Sequence, residues 1–234
     1  MKYLKKFSTA EEYNAYIVSD ELAAPNVSLI EASAEVKYVR FKPANFIRGD
    51  GIAYLEIDYY LSNYDRVEVK RSGSAAATIT LGAKSSDMMC TILINTETKG
   101  YFIWRTATSH YLNIDAATAT TPIIMGMVKD GDVFYDRVIK GSREHTLYTH
   151  PSPPEEVVSD IKLRVFAGTL QDSDEIDSRI FAGSIYYVKV IDSRDERVKL
   201  ELVAARQGDE PGMYDMVSGK FYSNANSVGS FTLG

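Results

Sequence analysis

The sequence predicts a mainly β protein, folded as an antiparallel sandwich or jelly roll. Sixteen Tyr and nine Phe, with many Val, Ile and Thr, are typical of strands. About a dozen short runs alternate apolar and polar side chains and are separated by turn residues, a spacing that favours a sandwich over a parallel α/β sheet. Asp130-Gly131 lies between two such runs and favours a tight hairpin, because that turn needs a positive φ.

Length and charge exclude several classes of protein. With 234 residues, 45% of them apolar, the chain can bury a core without disulfides or metals. Cys90 is the only cysteine, so neither an intrachain disulfide nor a cysteine-based zinc cluster is expected. The net charge of −6 argues against nucleic acid as a partner. No run approaches the roughly 20 apolar residues of a membrane span, and the start lacks the apolar segment of a signal peptide.

The first 46 residues predict a small helix-plus-hairpin module. Ser8 and Glu11 fit a capping box, and an apolar stripe at helical spacing follows them. The period then changes to two over residues 27–31 and 36–41, which predicts a hairpin. A unit this small is only marginally stable when isolated. We therefore expect it to dock on a larger structure or to oligomerise. The assembly candidates are Tyr13, Tyr16 and Ile17.

Turn residues between Pro43 and Gly51 mark a boundary. We therefore predict an N-terminal module over residues 1–46 and a β domain over residues 47–234. The strands predicted in the β domain are 52–60, 66–71, 77–81, 91–94, 101–105, 110–114, 123–128, 133–139, 161–166, 180–191 and 199–203.

Several stretches of the β domain carry a resemblance to a known fold. They are FAGSIYYVKVI at 181–191, GMYDMVSGKFYSN at 212–224, GSF at 229–231, GIAYLEIDY at 51–59 and LGAK at 81–84. In this order they resemble the opening and closing strands of concanavalin A-like (laminin G-like) jelly rolls. In the second stretch, Tyr214 and Phe221 would flank a turn closed by Ser218-Gly219, with Asp215 accepting backbone donors across it.

The resemblance extends to the kind of protein that carries these motifs. The closing motif is similar to that of virion proteins of tailed bacteriophages, and residues 7–16 resemble the start of head-fibre or decoration proteins of crAss-like phages. It implies a virion location, with the N-terminal module docked on capsid proteins and the jelly roll projecting outward. It also implies a homo-oligomer, either a dimer or a trimer, and a possible host-surface polysaccharide as ligand.

Some concanavalin-like jelly rolls are glycosidases, whose strand E-x-D-x-(x)-E places carboxylates on one face. Glu56-Ile57-Asp58 begins this pattern, but Tyr59, Tyr60 and Leu61 follow where the second Glu belongs. Glu175-Ile176-Asp177 fails in the same way. We therefore expect no enzymatic activity. No cofactor-binding fingerprint is present either.

The candidate ligand sites are few. Tyr101, Trp104 and Arg105 are the glycan-binding candidates, because aromatic faces stack on sugar rings, although a single Trp in a sandwich is more often part of the core. Asp172, Asp174 and Asp177 are weak calcium candidates, and a solvated acidic loop explains them equally well. His145 and His150 are expected in an exposed loop.

Two classes of function therefore remain after the sequence is considered. The first is a phage virion structural protein with weak glycan adhesion. The second is a secreted or surface carbohydrate-binding module of a bacterium.

Overall fold

Two antiparallel sheets and a separate hairpin make up the protein. We describe it from a computed structural model, which covers residues 27–32, 35–40, 42–73, 78–84, 89–94, 99–104, 110–113, 121–169 and 175–234. Within these residues the secondary structure is strand, with no helix. The helix predicted near the start of the chain and the assembly candidates Tyr13, Tyr16 and Ile17 lie outside the described residues.

The strands follow one another along the whole described chain. They are β1 Val27–Ala32, β2 Glu35–Arg40, β3 Lys42–Pro43, β4 Ile47–Gly49, β5 Leu55–Ser62, β6 Asp65–Ser72, β7 Thr78–Lys84, β8 Met89–Ile94, β9 Lys99–Trp104, β10 His110–Asn113, β11 Ile123–Asp130, β12 Val133–Lys140, β13 Arg143–His150, β14 Val158–Val165, β15 Ser184–Asp192, β16 Val198–Gln207, β17 Glu210–Asp215, β18 Phe221–Tyr222 and β19 Phe231–Leu233.

The smaller sheet has six strands and the larger sheet has eleven. The order in the smaller sheet is β10-β9-β8-β7-β14-β5. The larger sheet runs β13-β12-β11-β6-β15-β16-β17-β18, with β3 paired to β16 and β4 paired to both β15 and β19. All pairings between these strands are antiparallel. The predicted mainly β, antiparallel class is therefore confirmed.

The core lies between the two sheets. A single buried cluster combines residues from both of them, which means that the sheets pack face to face as in a β-sandwich. The smaller sheet contributes Leu55, Ile57, Leu81, Ile92, Leu163 and Val165, and the larger contributes Val67, Val69, Met125, Val188, Leu202 and Met213. Successive side chains of a strand point to opposite faces, so the residues between these face outward.

The ends of the sandwich segment are joined in the larger sheet. Ile47 of β4 pairs with Leu233 of β19 on one side and with Ile185 of β15 on the other. The pairing extends back to Lys42, which lies opposite Arg206 in β16. The sheet thus includes Lys42 and Pro43 of the predicted N-terminal module.

Two predicted hairpins are present. β1 and β2 form an antiparallel pair in which Leu29 lies opposite Tyr38, and they pair only with each other in the described part of the chain. β11 and β12 form the hairpin predicted at Asp130-Gly131, but its position shifts by one residue. Asp130 pairs with Val133, so Gly131, with φ 60°, begins the two-residue turn.

The turn at residues 215–219 is built as the sequence predicts. Tyr214 pairs with Phe221 across the turn, and Gly219 takes a positive φ of 74°. The carboxylate of Asp215, which is 2% exposed, accepts hydrogen bonds from the amides of Glu201, Val217 and Ser218 at 3.0, 3.0 and 3.2 Å, and from the Ser218 hydroxyl. One side chain therefore holds the turn and ties it to β16.

Asp215→Ala is expected to destabilise the protein by about 2–4 kcal/mol, because buried donors lose a charged acceptor. Urea unfolding of the purified protein measures this loss. Asp209→Ala, an exposed acid in the β16–β17 turn, is the matched control and should change the unfolding free energy by less than about 0.5 kcal/mol. Equal effects of the two substitutions would contradict this role of Asp215.

Candidate functional site

The outward face of β5 and β14 is a charged surface that carries an exposed aromatic ring. Glu56, Asp58 and Tyr60 alternate with the core residues of β5. On the neighbouring strand, Lys162 lies opposite Tyr60 and Arg164 lies opposite Glu56. Because these positions have the outward parity on both strands, the acidic row of β5 faces the basic row of β14.

The two acids that β5 contributes to this surface are both paired with cations. Glu56 accepts from Arg164 at 2.8 Å and from Lys162 at 3.4 Å. Asp58 accepts from Lys220 at 2.7 Å and lies 3.7 Å from Lys162. The hydrogen bond from Lys220, followed by the charges of both lysines, holds the pKa of Asp58 below its usual range. The hydrogen bond to Glu56 raises the pKa of Lys162, and the hydrogen bond to Asp58 raises the pKa of Lys220.

This geometry bears on hydrolysis. A glycosidase needs one carboxylic acid that is protonated and a second carboxylate that is free to attack or to activate water. Here Asp58 is held ionised, and Glu56 is bound by an arginine and a lysine. The two carboxylates are thus arranged as ion-pair partners on this face.

Tyr60 gives this surface a place where a ligand can stack. Its side chain is 44% exposed, and Val158, 54% exposed, lies opposite Ser62, two positions along β5 from Tyr60. Lys162 and Asp58 supply hydrogen-bonding groups next to the ring. An open aromatic ring flanked by polar groups is an arrangement that suits the apolar face and the hydroxyls of a sugar. We call the set Asp58, Tyr60, Val158 and Lys162 the Tyr60 surface.

Trp104, the main glycan candidate of the sequence, occupies a different environment. Its side chain is fully buried in the core, where Cys90 is its pairing partner in β8. The core position, which the sequence left as the alternative, is the one observed. A ring without solvent exposure has no face for a sugar, so we do not retain it in the site. Only the backbone of Tyr101, in β9, is described, and Arg105 lies outside the described residues.

Of the calcium candidates, Asp172 and Asp174 also lie outside the described residues. Asp177 is 3% exposed, and Arg179 binds both of its carboxylate oxygens. The guanidinium of Arg179 therefore occupies the place beside Asp177 that a calcium ion would take. In the described part of the chain, no group of three or more His, Cys, Asp or Glu is placed to hold a metal ion.

The histidines correct an expectation. Both His145 and His150 lie in β13, not in a loop. His150 is 6% exposed, and its Nε2 lies 3.1 Å from a carboxylate oxygen of Asp136 in the neighbouring strand. The ring of Tyr148 contacts it edge-on, with ring centroids 4.8 Å apart. The sequence missed this pair because the two residues are 14 positions apart and meet only through strand pairing.

A buried ionic cluster joins the β5–β6 turn to the β15–β16 turn. Lys199 lies 3.0 Å from both Asp65 and Asp192. Asp65 also accepts from the Tyr59 hydroxyl at 2.9 Å, and Asp192 accepts from Arg194 at 2.7 Å. Every member has a partner of opposite charge or a hydrogen-bond partner, so we interpret the cluster as structural.

The cluster shifts the protonation of its members. Burial raises the pKa of Asp65. Arg194, with Lys199, holds the pKa of Asp192 far below its usual range. Burial alone would lower the pKa of Lys199, but the two aspartates outweigh it and the net shift is upward.

A cleft lies at the junction of β3, β16 and β19. It has a volume of about 430 Å³ and is lined by Lys42, Pro43, Ala44, Asn45, Arg206, Leu233 and Gly234. The volume falls within the range of roughly 300–1,000 Å³ typical of small-molecule sites. The sequence did not point to it, since its two ends are about 190 residues apart and share no motif.

Comparisons with known proteins do not assign a family. No protein-family model and no curated protein matches this chain. In the part of the chain that the structure describes, no helix is long and apolar enough to cross a membrane.

Asp192→Asn tests the ionic cluster through pH. The pKa of Asp192 is depressed in the folded state, so its contribution to stability is complete above the unfolded pKa, near 4, and is lost as the pH falls below that value. We expect the substitution to cost about 2–4 kcal/mol at pH 7 and progressively less as the pH falls from 4 toward 2. Urea unfolding across this range measures the difference, with Asp132→Asn in an exposed turn as the control. A penalty that does not change with pH would contradict the assignment.

Proposed function

We propose that the protein is a non-enzymatic structural protein of a tailed-phage virion. In this proposal it forms a short surface fibre or decoration on the head, and its concanavalin A-like jelly-roll domain adheres weakly to host glycans. The observation that carries the proposal is the turn around Asp215. Residues 212–224 bear the most specific part of the resemblance, and in this stretch Asp215 accepts backbone donors and Tyr214 pairs with Phe221, as predicted for the turn.

The sheet arrangement supports the jelly roll. The first and last strands of the sandwich, β4 and β19, lie side by side, and β4 pairs with β15 on its other edge. The resemblance likewise rests on stretches from the two ends of the domain. Two antiparallel sheets around a shared core are the minimum that a jelly roll requires.

The Tyr60 surface supports binding in preference to hydrolysis. Its carboxylate, Asp58, is paired with Lys220 and Lys162, and its aromatic ring is open to solvent. One such surface supplies only weak affinity. Many copies on one particle convert weak contacts into firm attachment, since each further contact forms at a high effective concentration.

The N-terminal module supports an assembled state. The hairpin of β1 and β2 pairs with no other strand in the described part of the chain, and an isolated two-stranded sheet is marginally stable. Docking on capsid proteins, together with self-association as a dimer or trimer, would bury it. In this proposal the protein is assembled into the virion in the host cytoplasm.

The assembled state gives the first test. Mass photometry is expected to show a dimer or trimer of the 26.1 kDa chain, and antibody labelling is expected to place it on the heads of purified particles. A 26 kDa species alone at micromolar concentration, with no label on particles, would contradict the virion proposal. Genomic neighbours distinguish the virion protein from the alternative class. Polysaccharide-utilisation genes beside this one would favour a bacterial carbohydrate-binding module.

Tyr60→Ala gives the second test. We expect it to weaken glycan binding by about tenfold or more, because the stacking ring is removed. The measurement is a glycan array with the assembled oligomer, followed by titration calorimetry of the best ligand. Tyr148→Ala is the matched control, since Tyr148 is equally exposed but lies in the larger sheet. Equal binding by both variants would show that the Tyr60 surface is not the site.

A further inference from the structure

We infer that the cleft at the junction of β3, β16 and β19 binds a saccharide that carries carboxylate groups, such as a uronic-acid oligomer. The inference rests on the proposed glycan-binding function and adds a second subsite and a class of ligand to it. Four features of the cleft lead to it: its two cations, their placement opposite each other, its apolar lining residues and the hydrogen bonds of its backbone.

The cations of the cleft stand out against the charge of the protein. Lys42 and Arg206 both line it and both are exposed, whereas the chain as a whole carries −6. Among the described residues that line the cleft, none has an acidic side chain. The carboxylate of Gly234, the last residue of the sequence, also lies there, and one of its oxygens accepts from the amides of Asn45 and Phe46 at 2.7 and 3.2 Å. Asn45 adds an exposed amide. The cleft therefore offers donors and positive charge to a ligand, which are the groups that bind carboxylates.

The placement of the two cations is unfavourable without a ligand. Arg206 and Lys42 are direct partners in the antiparallel register of β16 and β3. Like charges in such positions repel each other, because their Cβ atoms are only about 4.5–5.5 Å apart. Neither forms an ion pair within the part of the chain that is described. An anion bound between them would turn this repulsion into attraction.

The apolar lining of the cleft suits a sugar ring. Pro43, Ala44 and Leu233 line the cleft together with the cations. A pyranose ring has an apolar face formed by its C–H groups, and a uronic acid carries its carboxylate at the edge of that ring. The apolar and cationic residues of the lining therefore match the two parts of one sugar unit.

The backbone of the cleft disfavours a peptide. An extended peptide gains affinity by adding a strand to free backbone groups. Here the amide of Ala44 donates to Ala204, the amide of Asn45 donates to Gly234 at 2.7 Å, and Gly234 donates to Phe46. These backbone groups are already used, so recognition falls to side chains. That favours a saccharide over an acidic peptide.

The experiment uses the full chain and three probes: trigalacturonic acid, a neutral trisaccharide of galactose and the peptide Glu-Glu-Glu. Titration calorimetry and thermal unfolding are measured for the unaltered protein and for Arg206→Gln, Lys42→Gln and Lys129→Gln. Lys129 is the control, because it is an exposed lysine of β11 that belongs neither to the cleft nor to the Tyr60 surface. Both cleft residues are exposed, so their variants are expected to fold.

We expect trigalacturonic acid to bind and to raise the Tm, and each cleft variant to lower that affinity by about tenfold. The affinity should fall as salt is added, and Lys129→Gln should leave it unchanged. Without ligand, Arg206→Gln should raise the Tm, since it removes the opposed charges. A lower Tm in that variant would overturn the role assigned to the charge pair.

The other outcomes separate this inference from the proposed function. Neutral glycans that bind at Tyr60 while trigalacturonic acid does not bind would overturn the cleft assignment and leave the proposed function intact. Absence of binding to every glycan, on arrays as well as in titration, would overturn the cleft assignment and the glycan adhesion in the proposed function, and would leave the virion role to the test by particle labelling. Equal affinity for Glu-Glu-Glu would overturn the saccharide as the ligand class.

Discussion

The burial of alternate side chains between two antiparallel sheets is the constraint on which the rest of the structure depends. A strand has only two faces, so each strand that places one row in the core must present the other row elsewhere. In β5, Leu55 and Ile57 enter the core, and this forces Glu56, Asp58 and Tyr60 onto the outward face. The charged ladder and the exposed ring of the Tyr60 surface are thus consequences of the same alternation that builds the core.

Polar groups that enter the interior are held by specific partners. Asp65 has the inward parity of β6 and meets Lys199 and Tyr59, so its desolvation is offset by an ion pair and a hydrogen bond. Arg71, at the other end of the same strand, is fully buried and lies 4.5 Å over the ring of Phe181. Burial lowers its pKa to about 10. Burying a charged group lowers the stability of the fold unless the group has a partner. At the two ends of β6 the position of the chain therefore depends on these polar contacts as well as on apolar packing.

The proposed functions use the two kinds of surface that a sandwich leaves open. One is the outward face of a sheet, where paired charges surround Tyr60. The other is the margin where strands end, where Lys42 and Arg206 meet beside the last residues of β19. On the first surface Glu56 and Asp58 are paired with cations, which suits a neutral ligand. The second carries two cations that have no ion-pair partner among the described residues, which suits an acidic one. A polysaccharide with both kinds of unit would engage both.

The sequence by itself determined the mainly β class, the hairpin at Asp130-Gly131 and the turn around Asp215, because period-two alternation and turn chemistry are local properties. It did not predict β13, whose residues are almost all exposed and therefore show no alternation of apolar side chains. Only the tertiary structure decided that Trp104 lies in the core, that His150 meets Asp136 and that Lys42 lies opposite Arg206. Each of these depends on which strands become neighbours and on which face is covered. Those facts follow from long-range pairing, and no short stretch of sequence contains them.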